Sequence, residues 1–166
     1  MNSKEEKSLV ATNADREEFN EIIAEIINDP NVLALKEHIQ HQTTSRFDHC
    51  ESVAFITYSI CKRLGLDYIS AARGAMLHDF YFYDWRNKHV EGQKRFHAMR
   101  HPNIALTNAE EVFDLNDLER DIIKKHMWPM TIVPPSYLES FIVTLVDKYC
   151  ATAEFFKSLK KGEEIK

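Results

Sequence analysis

The sequence predicts an all-α fold: a single-domain helical bundle of about seven helices. Three observations carry that reading. Apolar residues recur at helical spacing through long segments. Asp, Asn, Ser and Pro stand where helices should begin, and Gly65 stands where one should end. The 166 residues hold only four glycines and five prolines, too few for a many-turned β architecture. A chain of this length can bury one full core. Residues 1–14 are expected as a flexible N-terminus, 15–160 as the folded domain and 161–166 as a solvated tail.

The elements follow in order. "REEFNEIIAEIIND" (Arg16 to Asp29) places Phe19, Ile22, Ile23, Ile26 and Ile27 on one helical face, and Pro30 ends it. "NVLALKEHIQH" (Asn31 to His41) reads as a second, shorter helix, and Thr43 to Arg46 as a polar break. Phe47 to Gly65 is a long helix with glycine as its stop. Asp67 is the N-cap of the next helix, "YISAARGAMLHDF". Its small residues Ala71, Ala72, Gly74 and Ala75 allow close packing, so this helix should be central.

After Asp79 the period dissolves. Tyr81 to Met99 reads as a long loop, rich in aromatics and positive charge, and long loops inside compact domains are often functional. Pro102 marks the first turn of the next helix, Pro102 to Leu115. Asn116 and Glu119 form a capping box for "NDLERDIIKKH". "MWPMTIVPP" breaks the pattern. Ser136 and Glu139 read as another capping box, opening a last long helix that ends near Leu159.

Bulk properties narrow the function. The net charge of −5 argues against a general nucleic-acid binder. Three cysteines with no CxxC pair give no disulfide framework and fit a reducing, cytoplasmic setting. No apolar run approaches the ~18 residues that span a membrane, so no membrane partner is expected. The N-terminal "MNSKEEKSLV" lacks the apolar core of a secretory signal.

Eight histidines stand out. His38, His41 and His89 lie in polar surroundings. His49 is near the start of a long helix, and His78 and His126 end helices. His97 and His101 are one helical turn apart. Asp147 sits inside the apolar stretch "FIVTLVDKYCA", where a lone buried carboxylate is expensive. Imidazole nitrogens and carboxylate oxygens suit Mn, Fe, Co, Ni or Zn. A buried histidine can equally be a hydrogen-bonded core residue.

The order His49, His78-Asp79, Asp147 resembles the H…HD…D signature of the HD-domain superfamily of metal-dependent phosphohydrolases. The contexts are "RFDHCESVA", "GAMLHDF" and "IVTLVDKYCA", and the resemblance covers roughly Arg46 to Phe156. "HPNIA" (His101) and "DIIKKHMWP" (His126) are similar to the extra ligands of its binuclear, five-histidine branch. That branch includes HD-GYP cyclic-dinucleotide phosphodiesterases and bacterial diadenosine tetraphosphate hydrolases. The Lys after the HD pair and the GYP sequence are absent here, which argues against a cyclic di-GMP enzyme.

The resemblance implies a divalent transition-metal cofactor, two ions in all. His49, His78, Asp79 and Asp147 would hold one, and His101 and His126 the second, with Asp79 bridging. It implies a metal-activated hydroxide attacking phosphorus in a small phosphorylated substrate, a nucleotide or other phosphate ester. Asp79, Arg100 and His97 are the candidate catalytic residues. Arg46, Arg86, Lys94, Arg95 and Trp85 are candidates for substrate binding. Tyr81, Tyr83 and Trp85 could stack on a base or pack the loop. Two alternatives share these ligands: a di-iron HD-type oxygenase, and a non-catalytic metal or nucleotide sensor. A homodimer is compatible with the sequence, which leaves the oligomeric state open.

Overall fold

A computed structural model of the protein describes residues 12–41, 44–83 and 97–163. Among them are seven α-helices: α1 (Asn13–Ile27), α2 (Pro30–Ala34), α3 (Arg46–Leu64), α4 (Tyr68–Leu77), α5 (His97–Val112), α6 (Asp117–Lys125) and α7 (Leu138–Glu163). A 3-10 turn (Leu35–Glu37) and an antiparallel ribbon of β1 (Ile39–His41) and β2 (Thr44–Ser45) join α2 to α3. The fold is all-α, as the sequence predicts.

α4 is the centre, packing against α1, α3, α5, α6 and α7. Its small residues make this possible. A Cβ on Gly74 would stand 3.2 Å from the Glu119 Cα and 3.0 Å from the Ile122 side chain, so α6 crosses α4 at close range. The core is built from Phe19, Ile23 and Ile26 of α1, Val53, Ala54 and Tyr58 of α3, and Met76 and Leu77 of α4. Ile122 and Ile123 of α6 and Val143 of α7 complete it. Lys62 of α3 joins the Asp15 and Glu18 carboxylates, anchoring α1 along α3.

Several boundaries differ from the sequence expectation, each for a local reason. α1 starts at Asn13 because Thr12 and Asp15 form a capping box, so residues 13 and 14 are helical. Pro30 opens α2 rather than only ending α1: the Asp29 side chain accepts from the Asn31 and Val32 backbone. The expected helix over 31–41 stops after Ala34, and Ile39–His41 pairs as β1 instead. Pro102 lies inside α5, which begins five residues earlier at His97. The helix-favouring Ala98, Met99 and Arg100 extend it upstream, although the proline removes one internal hydrogen bond.

The expected Ser136–Glu139 box does not form. The Ser136 N–H donates to Asp121 Oδ2 (2.9 Å), and Glu139 Oε1 accepts from the Asp67 N–H (3.1 Å). These residues tie α7 to α6 and α4, and α7 starts at Leu138. It continues to Glu163, so residues 161–163 of the expected tail are helical.

Candidate metal centre

Two imidazoles sit at helix C-termini, His78 on α4 and His126 on α6. Nδ1 of His78 lies 2.7 Å from the Ala75 carbonyl, and Nδ1 of His126 lies 2.9 Å from that of Ile123. A carbonyl can only accept, so Nδ1 is the protonated nitrogen that donates in each ring. Nε2 is thereby left to face the interior. Because α4 ends at Leu77, the turn that follows lets His78 and Asp79 point inward together, which adjacent residues within a helix cannot do.

The other donors arrive from three helices. His49 is in the first turn of α3, which Ser45 caps through the Asp48 N–H (3.1 Å). His101 comes from α5 and Asp147 from α7. His49 Nε2 lies 3.0 Å from Asp147 Oδ1, and His78 Nε2 lies 3.6 Å from the same oxygen. Asp79 Oδ2 is 3.7 Å from His78 Nε2. Its other oxygen is 3.2 Å from His101 Nε2 and 3.6 Å from His126 Nε2. The two rings approach each other at 2.8 Å between Nε2 atoms.

Ligand atoms of His49, His78 and Asp79 therefore form one group within 4.8 Å of one another, and those of Asp79, His101 and His126 form a second. Asp147 adjoins the first. Every ligand residue named in the sequence reading is brought to one place.

The donor chemistry fits a cation. His78 Nε2 is buried and has no hydrogen-bond partner among the described residues. Burial opposes ionisation of Asp79, yet the charge on His78 and the hydrogen bond from His101 hold its carboxyl well below the usual carboxylate range. Asp147 is lowered against burial by His49 and His78. Burial works against a charge on His49, but Asp147 and Glu154 outweigh it and push its pKa up to about 10. His78 is raised against burial by Cys50, Asp79 and Asp147. Burial and the neighbouring His101 and His78 push His126 down to about 3, leaving it a neutral donor at neutral pH. Buried carboxylates thus hold positive charge here, as protons or as a metal ion.

Two partners escaped the sequence reading. Glu154 sits 3.0 Å from His49 Nδ1, completing a carboxylate–histidine pair that orients the ring. Its signal was its position seven residues after Asp147, on the same face of α7. Lys148 Nζ donates to the His126 carbonyl (3.2 Å) and the Thr144 carbonyl (3.3 Å), placing positive charge at the carbonyl end of α6.

The remaining candidates divide. Arg46, a candidate for substrate binding, is buried. Its guanidinium lies 3.7 Å over the Tyr81 ring and donates to the Tyr81 and Tyr83 carbonyls, so it holds the segment after the HD pair. Tyr81 is likewise buried and packs the domain. Arg100 is exposed on α5, next to His101. His97 begins α5, but its side chain lies outside the described residues, as do Trp85, Arg86, Lys94 and Arg95.

The HD domain family model matches residues 46–152, well over half of the chain. The protein belongs to the HD domain family, whose superfamily is of the metal-dependent phosphohydrolase type. Neither the curated proteins nor the solved structures gave a match. No helix among the described residues is long and apolar enough to cross a membrane.

Proposed function

We propose that the protein is a two-metal phosphohydrolase acting on a nucleotide or another small phosphate ester. The observation that carries this is Asp79. One carboxylate faces both ligand groups, His78 through Oδ2 and His101 with His126 through Oδ1. A carboxylate shared by both groups could serve a pair of cations at the ~3.5–4 Å spacing of two-metal sites. Divalent cations held there would supply Lewis acidity to the phosphoryl oxygens and acidify water.

The chain's own groups supply the rest. Glu154 fixes the His49 ring, and the Ala75 and Ile123 carbonyls fix His78 and His126. Arg100, exposed beside the second group, meets the negative charge that develops on phosphate. His97, one helical turn before His101, protonates the leaving group. Trp85, Arg86, Lys94 and Arg95 complete substrate binding. The cytoplasm is the proposed location; the three thiols are free.

The test is metal per chain in untagged wild type and in a His101→Ala/His126→Ala variant, with phosphate release from nucleotides and nitrophenyl phosphate esters. Two metals falling to one, with loss of hydrolysis, is the expected result. One metal in both proteins would remove the second group. Iron with substrate-dependent oxygen consumption and no phosphate release would replace the reading with the oxygenase one.

A further inference from the structure

The outward face of α7 is apolar. Leu138, Leu145, Tyr149, Phe155, Phe156 and Leu159 each expose between 45% and 67% of their surface. Leu138, Leu145, Thr152 and Leu159 repeat every seven residues, and Tyr149 and Phe156 form a parallel row. This is the 3.5-residue period with which helices pair side by side. The opposite face of α7 carries Val143, Asp147, Cys150 and Glu154, toward the core and the metal centre.

The segment before α7 extends the surface. Met130, Ile132 and Val133 are exposed, Ile132 by 89%. Trp128 meets the Phe141 ring edge-on at 5.6 Å, which lays this segment beside the first turns of α7. At ~200 Å² for a fully exposed large apolar residue, the surface amounts to roughly 1,100 Å². That exceeds the ~300–600 Å² of the largest patch on a typical monomer, and is enough for the ~800 Å² that each partner gives a stable interface.

We propose that α7 of a second copy covers this face, antiparallel, in a two-fold dimer. A heptad stripe needs a partner with the same repeat, and a two-fold interface supplies one from the same surface. The antiparallel sense follows from charge. A parallel pair would align the helix dipoles and bring the exposed Lys157 of both copies onto the same end. In the centred antiparallel register Leu138 of one copy faces Leu159 of the other, Phe141 faces Phe156, and Leu145 faces Thr152. Tyr149 then lies beside the two-fold axis.

Analytical ultracentrifugation of the full chain tests this at roughly 50 µM, above the micromolar-to-picomolar range that interfaces of standard size span. The expected mass is twice 19.4 kDa. Tyr149→Glu sets two like charges at the axis and should weaken dimerisation at least ~100-fold, with Leu145→Lys giving the same loss. Both variants should keep wild-type far-ultraviolet circular dichroism. Val112→Glu, exposed on α5, should remain dimeric. A monomeric wild type overturns the proposal and assigns the face to another segment or another protein. A dimer untouched by both α7 substitutions also overturns it, because the interface then lies elsewhere.

Discussion

Asp79 and Glu154 show how differently two carboxylates can serve one centre. Asp79 faces both ligand groups, so Asp79→Asn should lower metal content at both and reduce hydrolysis below detection. Elemental analysis that still finds two metals per chain would refute its bridging role. Glu154 bonds to His49 through the nitrogen turned away from Asp147. Glu154→Gln should leave the ligands in place but weaken metal affinity by about 10–100-fold, the usual effect of losing a carboxylate behind a histidine ligand. Metal titration with a chromophoric chelator reads that difference. The candidate ligands were legible in the sequence because the order His49, His78-Asp79, Asp147, with His101 and His126 between, resembles the H…HD…D signature; their placement at helix ends or in apolar stretches alone fits a core histidine equally well. Glu154 was not, because an acid near a helix C-terminus looks like solvated surface. The packing of Arg46 was not legible, because sequence shows its charge but not that Tyr81 and Tyr83 would fold over it.

Among the elements, the contact of α4 with α6 is the tightest constraint. Gly74→Ala gains about 1 kcal/mol of helix propensity. The new methyl must displace the Glu119 backbone, and overpacking costs about 1–3 kcal/mol. A net loss of about 1 kcal/mol is expected in urea unfolding, and a stabilised variant would show that α6 can move away. The α6–α7 connection carries a pH-dependent tie. Burial tends to raise the Asp121 pKa, but the Lys125 ammonium and the Ser136 N–H outweigh it and hold the carboxyl below its ordinary value. A lowered folded-state pKa gives stability that is present above the unfolded value near 4 and lost as pH falls through the folded one. Asp121→Asn should therefore melt at a lower temperature than wild type at neutral pH, and the gap should close on acidification. A gap that stays constant down to pH 2 would mean the ionised carboxylate contributes nothing.

The helix count was legible because periodicity reports which face is buried. The boundaries were less so, because tertiary partners decide them. Ser136 and Glu139 carry the pattern of a capping box, yet both bond to other elements. Pro102 marks a start by local rules, and the helix runs past it to bring His97 and His101 onto one element.

For the molecule as a whole, the candidate metal centre joins α3, α4, α5, α6 and α7, so a cation bound there would tie most of the fold together. A ligand bound only by the folded state at 100 times its dissociation constant adds about 2.7 kcal/mol. For a chain of this size that corresponds to a melting temperature higher by roughly 5–10 °C. Calorimetry with chelator and then with restored Mn or Zn measures the shift, and an unchanged melting curve in both would deny these residues a cation.

His78 and His126 each hang from the last turn of a helix by a bond to the carbonyl three residues behind. Deleting one residue from α4 or α6 would swing the attached ring about 100° around the helix axis. The lengths of these two helices are thus locked to the chemistry, like the teeth of a key. The connection that follows α6, from Met127 to Tyr137, ends in no such ring. Inherited change in length has room to accumulate there, while the spans that end in histidine must be passed on at constant length.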